Sequence, residues 1–438
     1  MDNVLDPVDQ AMFEFGRVTG ISVLIQCAWV YNRGVDINGL RRFHAHLHRG
    51  RLSRRIERSP LPFGRHRWIS PNGSHDIEFV ASDRPRDQFD SWLNEQANTT
   101  RIDPEHGPGW HLAVLPFADG GAGVSLLVPH CLADGLGLTE AVADAALGRD
   151  DPVNWPRAAS RRRWRAVRED ARQTARDTRT IGRALAAAIR SGRQSRVGGA
   201  PRSAAPLVRF AGTPEPITVP IATMLINVED WEARAQSLGG TSNALLAGIT
   251  ARLAERRGRV TADGLVTLRI PRNERTAGDT RGNAVSNIDI TVDPAVVTTD
   301  LRGIRAEIKR ALIRHQEVLD DERALQSLVP LLPKRLLKKL GGNGTSVVAT
   351  HLGVVDPAAT RPDGVVADHF AMKMHYAGMT KEMLHRFGGL QIVAFGSANG
   401  EAFLMVHAYQ TGRTNSNDDL RQDVSSVLKE FALTGTHL

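Results

Sequence analysis

Between Arg157 and Arg202 the chain carries fourteen arginines, no lysine and three acids. Arg161 to Ile189 reads as a long Arg- and Ala-rich helix with few large apolar residues. Gly192 to Pro216, rich in Gly, Ser, Ala, Pro and Arg, reads as a linker. Neither part has the apolar side chains for a core of its own. The segment therefore divides the 438 residues into two bodies of similar size. We assign residues 1–155 to an N-terminal lobe, 156–216 to a basic crossover helix and linker, and 217–438 to a C-terminal lobe. The segment carries a net +11 in a chain whose total is +8, so the rest sums to −3. The basicity belongs to one stretch, which argues against a nucleic-acid-binding protein as a whole.

Both bodies alternate strands and helices. In the first, Val4 to Phe15 reads as an opening helix and Ile21 to Val30 as a buried strand. Asp36 caps a helix whose apolar face is Ile37, Leu40, Phe43 and Leu47. Phe89, Trp92 and Leu93 mark another helix. Leu112 to Leu115 and Val124 to Val128 form a hairpin around Asp119-Gly-Gly-Ala-Gly. In the second, strands are expected at Ile217–Asn227, Leu265–Ile270, Val285–Val292, Val347–Val355, Gln391–Phe395 and Ala402–Tyr409. Helices are expected from Thr241 or Ser242 to Arg257, at Leu301–Leu319, Ala324–Leu340 and Asn417–Leu433. The pattern defines an α/β protein. With 41% apolar and 24% charged residues, it is an ordinary globular chain. The longest apolar run, Gly20 to Tyr31, is shorter than the ~20 residues a bilayer requires. The N-terminus has no apolar signal-peptide region. Two cysteines without a CxxC exclude a disulfide scaffold and a cysteine zinc site, and fit a reducing, cytoplasmic location.

The stretch best suited to chemistry is Val128-Pro129-His130-Cys131-Leu-Ala-Asp134-Gly135-Leu-Gly137. A histidine at a strand end projects into a cleft, and its imidazole can take and return a proton near neutral pH. Gly135 and Gly137 allow a tight turn and close approach. A buried Asp134 needs a cationic or hydrogen-bonding partner. Read alone, such a His–Asp pair is more often structural than catalytic. Elsewhere, His369 and His375 read as surface histidines without metal-ligand spacing, His111 as core packing and Cys131 as a small buried residue. Phe395-Gly-Ser-Ala-Asn-Gly400 lacks the nucleophile-elbow pattern. Gly341-Gly-Asn-Gly-Thr-Ser reads as a helix stop and not a phosphate loop. No metal site is expected.

His130-x-x-x-Asp134-Gly135 resembles the HxxxDG signature of the chloramphenicol-acetyltransferase-like, condensation-domain superfamily. Several further stretches look most like its wax ester synthase/diacylglycerol acyltransferase branch. Leu5-Asp-Pro-Val-Asp9-Gln-Ala-Met-Phe13 resembles the opening "LSPLDxxFL", and Gly109-Trp110-His-Leu-Ala-Val resembles "PLWxxxV". Asn243-Ala-Leu-Leu-Ala247 resembles "NDVxLA". Arg272, followed by Gly282-Asn283, resembles the branch's arginine and "GN" pair. Thr350-His351-Leu-Gly-Val-Val-Asp356 stands where relatives carry "SNLGxVD". The matches keep their order from about residue 5 to 410. Two features depart from the branch: Pro129 replaces the first of two adjacent histidines, and Thr350-His351 replaces a Ser-Asn pair.

The resemblance implies two lobes, each a mixed sheet with flanking helices, and a tunnel at their interface. It implies an acyltransferase in which His130 is the general base for direct attack on a thioester, without a covalent acyl-enzyme. Asp134 and Gly135 would hold the loop, with Arg272 as the partner of Asp134 and Arg269 as the alternative. Pro129, Gly137, Asn283, Thr350 and His351 would lie along the tunnel, and the oxyanion would meet amides near Gly135 or polar groups near Asn283 and Thr350. No cofactor is expected to stay bound; the donor substrate would be acyl-coenzyme A or acyl-phosphopantetheine, the acceptor a small alcohol or amine. Two other readings are a condensation-type ester- or amide-forming enzyme of a natural-product pathway, working on carrier-bound substrates, and an inactive carrier-binding homologue. For the basic segment, a solvated helix is the plainest reading. Arg161, Arg162, Arg163 and Arg165 are candidates for docking an acyl carrier protein or coenzyme A phosphates, and peripheral membrane contact is a third reading. No nucleic acid is expected.

Overall fold

The computed structural model describes residues 3–71, 73, 75–149, 154–177, 215–276, 278–326, 347–386 and 388–438. The N-terminal part contains α1 (Pro7–Thr19), β1 (Ser22–Tyr31), α2 (Ile37–Leu47), β2 (Arg55–Glu57), β3 (Arg67–Ile69), β4 (Glu78–Phe79), α3 (Phe89–Thr99), β5 (His111–Pro116), β6 (Ala122–Pro129) and α4 (Gly135–Ala146). Residues 163–177 form α5. The C-terminal part contains β7 (Ile221–Asn227), α6 (Val228–Ser237), α7 (Ser242–Arg256), β8 (Val266–Asn273), β9 (Val285–Val292), α8 (Arg302–Gln326), β10 (Val347–Val354), β11 (His369–Ala377), α9 (Lys381–Arg386), β12 (Leu390–Ala398), β13 (Glu401–Tyr409), α10 (Asn417–Glu430) and β14 (Thr436–His437).

Two mixed sheets carry the fold. The first runs β11-β1-β6-β5-β4, the second β14-β7-β13-β12-β10-β8-β9. Strand β1 is the spine of the first. Its last eight residues are all buried, as in a strand covered on both faces. It pairs antiparallel with β6, and β6 with β5 across the expected hairpin. In the second sheet, β10 lies parallel to both β8 and β12. The β12–β13 hairpin closes on Asn399-Gly400, both at positive φ (52° and 81°). That two-residue turn matches strand twist and needs such residues, so Phe395–Gly400 is a hairpin tip. Asp36 caps α2 and Thr241 caps α7, as their sequences require.

Each sheet has its own apolar core. The cores do not divide cleanly at the basic segment. Strand β11, from the C-terminal half, pairs along the full free edge of β1, from Ser22↔Ala377 to Val30↔His369. The preceding stretch follows it, with Trp29 Nε1 donating to the Ala359 carbonyl at 2.8 Å.

Several sequence expectations change. His375 is not at the surface: it is buried on β11, with Nε2 2.8 Å from Gln26 Oε1. Its neighbour Lys373 is also buried, paired to Asp90. These polar residues hide a strand whose other face carries Phe370 and Met372. His369 stays partly exposed beside Glu401. His111 is not a core residue; its Nε2 lies 2.7 Å from Glu78 at the sheet's edge. Two helices were expected around residue 320, but α8 is continuous from Arg302 to Gln326. The rest of the expected Ala324–Leu340 helix, the Gly341 turn and nearly all of the 178–216 stretch lie outside the described residues.

Candidate active site at the junction of the lobes

His130 follows directly on β6, and its amide donates to the Val23 carbonyl at 2.8 Å. The strand edge therefore fixes the backbone that carries the ring. Asn283, from the C-terminal half, donates from Nδ2 to the His130 carbonyl at 2.8 Å. The ring lines an interlobe cavity of about 290 Å³. Nδ1 is buried and has no hydrogen-bond partner among the described residues. Burial holds the imidazole below its usual pKa, partly offset by its own main-chain carbonyl and by Asp134. It is thus neutral at neutral pH, the form a base requires.

Asp134 cannot share that role, because its carboxylate is saturated. Oδ1 accepts from the Gly137 amide at 2.6 Å, which caps α4. Oδ2 accepts from the Ala284 amide and from Arg275 Nη2, each at 2.8 Å. The ion pair is almost fully buried. Arg275, and neither Arg272 nor Arg269, is therefore the partner. Arg272 lines the cavity with its Nε 3.6 Å from Glu274, and Arg269 is spent on Asp289 at 2.9 Å. The reason is local. Arg275 stands just beyond β8, and its guanidinium folds back onto the Arg281 and Gly282 carbonyls, at 3.1 Å each.

A second buried acid completes this clamp. Asp9 on α1 accepts from the Gly282 amide at 2.9 Å, the Asn283 amide at 2.7 Å and Asn283 Nδ2 at 2.9 Å. Burial outweighs those donors and nearby Arg54, pushing its pKa up to about 7. Arg54 is buried against Trp68 (4.0 Å to the ring centroid) and donates to the Thr280 and Leu132 carbonyls. Gly282 leaves little room for a side chain: a Cβ there would meet Asp9 Oδ1 and the Cys131 and Leu132 carbonyls, all at 3.0 Å. The loop 275–284 is thus bolted to the His130–Asp134 turn from below.

The expected tunnel residues separate into two groups. Thr350 and His351 line the cavity, as do Asp134, Gly135 and Leu136. Asn283, Gly137 and Pro129 do not. Asn283 is fully buried, with Nδ2 used twice in the clamp and so not free for an oxyanion. A Cβ on Gly137 would come within 2.8 Å of Arg275 Nη2, so this glycine makes room for the ion pair. Pro129 is buried in β6 opposite Leu24. Cys131 is buried, its thiol pushed up to about 12 by desolvation, which leaves no nucleophilic thiolate.

His351 has a definite role. Its Nδ1 accepts from the Gly353 amide at 2.9 Å, so the neutral ring carries its proton on Nε2, which faces Ser242 Oγ at 2.8 Å. Ser242 Oγ also accepts from Trp231 Nε1 at 2.7 Å. Trp231 stacks on Phe395 (4.2 Å, 21°), and His351 packs on the same ring. The ring is a fixed wall that ties β10 to the start of α7. Burial holds its pKa down to about 4.

Of the four candidate docking arginines, Arg161 is committed to Asp170 at 2.8 Å and Glu57 at 3.3 Å, and it anchors α5 to the N-terminal lobe. Arg162, Arg163 and Arg165 are exposed, with Arg165 paired to Glu169. Among the described residues no helix is long and apolar enough to cross a membrane. Arg275, Asp9 and Arg54 are the structural residues the sequence reading missed. Asp9 lay within the "LDPVD" stretch. Arg275 lay three residues beyond the arginine chosen, in a run Arg272-Asn-Glu-Arg275 that spacing cannot resolve.

Two mixed sheets, a strand exchanged between them and a histidine on the shared cavity define the two-lobed fold of condensation domains. No family profile and no curated protein matches the sequence. Solved structures share its fold over nearly its whole length. The first condensation domain of the CDA synthetase is similar with a TM-score of 0.60 at 13% identity, covering 99% of this chain and 96% of that one. Polyketide synthase associated protein 5 from Mycobacterium tuberculosis gives 0.56 at 14%, covering 98% of each. The epimerization domain from the third module of tyrocidine synthetase B gives 0.57 at 14%, covering 98% and 95%.

Proposed function

We propose that the chain is a condensation-type acyltransferase of natural-product biosynthesis. It joins an acyl group held as a phosphopantetheine thioester on a carrier protein to an amine or hydroxyl acceptor. The observation that carries this reading is His130: a ring that lines a cavity between the lobes, on a backbone fixed from both sides. Nε2 takes the acceptor's proton as its nitrogen or oxygen attacks the thioester carbonyl. The tetrahedral intermediate then collapses, the carbon–sulfur bond breaks, and the proton passes to the departing thiol. The amides of Gly135 and Leu136 open α4 and, like first-turn amides generally, lack intrahelical acceptors. They are the proposed oxyanion donors, since both residues line the cavity with His130.

Carrier-bound substrates are preferred to free coenzyme A because the similar structures include condensation and epimerization domains of peptide synthetases. Exposed Arg162 and Arg163 provide cationic surface for an acidic carrier. The test offers acyl groups loaded on a carrier protein, and the same groups on coenzyme A, with panels of amines and alcohols. Free thiol and product mass are read together. Product formation from the loaded carrier, lost in His130→Ala while circular dichroism is unchanged, is expected. Equal turnover by His130→Ala would end the proposal for this base. Turnover with coenzyme A alone would end it for the carrier.

A further inference from the structure

Three histidines meet on the N-terminal lobe, away from the interlobe cavity. His44 and His48 stand one helical turn apart at the end of α2, and His75 comes from the stretch between β3 and β4. One ligand-capable nitrogen from each lies within 4.8 Å of the other two. The Nε2 atoms of all three are buried, and none has a hydrogen-bond partner among the described residues. Three orphaned ring nitrogens facing one spot are costly unless something occupies it. Trp110 forms the floor, with its ring 4.3 to 5.3 Å from the three imidazoles.

We propose that His44, His48 and His75 bind one divalent transition-metal ion, with Zn2+ the best fit. Histidines four residues apart on a helix present two imidazoles on one face, the spacing that zinc helices use. A set of three imidazoles without thiolate or an oxygen cage suits Zn2+, Ni2+ or Cu2+ over Mg2+ or Ca2+. Zinc–nitrogen bonds of about 2.0–2.1 Å need ligand atoms about 3.4 Å apart, so nitrogens that lie within 4.8 Å of one another need close by no more than about 1.4 Å on binding. The fourth position opens to a pocket of about 250 Å³ that His48, His75 and Trp110 line. The ion would pin α2 to the His75 stretch.

The test uses chelator-treated full-length protein, titrated with Zn2+ by calorimetry and with Co2+ by visible absorption. One equivalent is expected to bind, with the intense colour of tetrahedral Co2+ and a rise in Tm that chelator reverses. His48→Ala and His75→Ala are each expected to weaken binding by at least about 100-fold. His46→Ala, on the same helix but outside the trio, is expected to bind as wild type does. Quenching of tryptophan fluorescence by Cu2+ is expected to fall in Trp110→Phe, which keeps all three ligands. Failure of the wild type to bind one equivalent, or undiminished binding by both folded His variants, would overturn the site and leave the rings as packing around Trp110.

Discussion

His130 and His351 face the same cavity from opposite lobes, and they differ in what their nitrogens are doing. His351 has both engaged, one by the Gly353 amide and one by Ser242. His130 lines the cavity with its backbone held, and its Nδ1 makes no hydrogen bond among the described residues. Both are neutral because burial disfavours the imidazolium. A lowered pKa therefore does not distinguish the two rings; the unengaged nitrogen does, and it is why His130 is the one proposed as base.

The largest effect expected is on turnover. His130→Ala should lower kcat by about 10²–10⁴-fold with the fold intact, whereas His351→Ala should leave kcat within a few-fold. Steady-state kinetics on both variants breaks the comparison if His351 proves the more damaging. Next comes the clamp. Arg275→Met strands Asp134 as an unpaired buried charge and should cost about 3–5 kcal/mol in denaturant unfolding. Adding Asp134→Asn should recover much of that loss. Arg272→Met should stay within about 0.5 kcal/mol, since its ion pair is long and half-exposed. His351→Ala should cost about 1–3 kcal/mol by orphaning the groups it satisfies.

The pH dependence sharpens the comparison further. The acidic limb of kcat/KM should fall below pH ~6.5, because His130 is depressed from the ordinary histidine value. For stability, His351 and buried His407 are both held near 4. On acidification from about 6.5 towards 4 the unfolded chain takes protons that the folded chain refuses, so stability falls. His351→Ala should flatten that slope. Asp9 acts in the opposite direction. Raised to about 7, it keeps its proton when folded while the unfolded chain releases it near 4, so stability falls as pH rises from about 4 to 7. Unfolding free energies of Asp9→Asn across that range should lack this decline. The smallest effect is expected at the surface. Arg162→Ala with Arg163→Ala should raise KM for a loaded carrier several-fold at low salt and hardly at ~0.5 M, where screening already removes the attraction.

The sequence made some of this legible. Strands that are mostly apolar along their length, such as β1, β6 and β13, were readable because burial on both faces leaves that mark. The place of His130 at a strand end beside a cavity was readable from the strand–loop–helix around it. β11 was not, since Lys373 and His375 satisfy distant partners, Asp90 and Gln26, that no local pattern reveals. The partner of Asp134 was narrowed to the right stretch and missed by one helical turn's worth of residues, because an arginine reaches far enough that position alone does not decide. The His44–His48 spacing was in view on a helix already marked out by its apolar face, but the third histidine lies 27 residues on and only folding brings it near.

Strand exchange also has a consequence for how the chain is made. β1 has β6 on one side within about a hundred residues, but its other neighbour, β11, begins only at His369. At synthesis rates of about 5–20 residues per second, the free edge of β1 waits on the order of 20–70 s for its partner. During that time the first lobe presents an open, apolar strand edge of the kind that invites wrong pairing. A truncation that stops after the N-terminal half would make the wait permanent. Such a fragment should aggregate where the full chain folds, and supplying residues 355–377 in trans is the remedy this topology suggests.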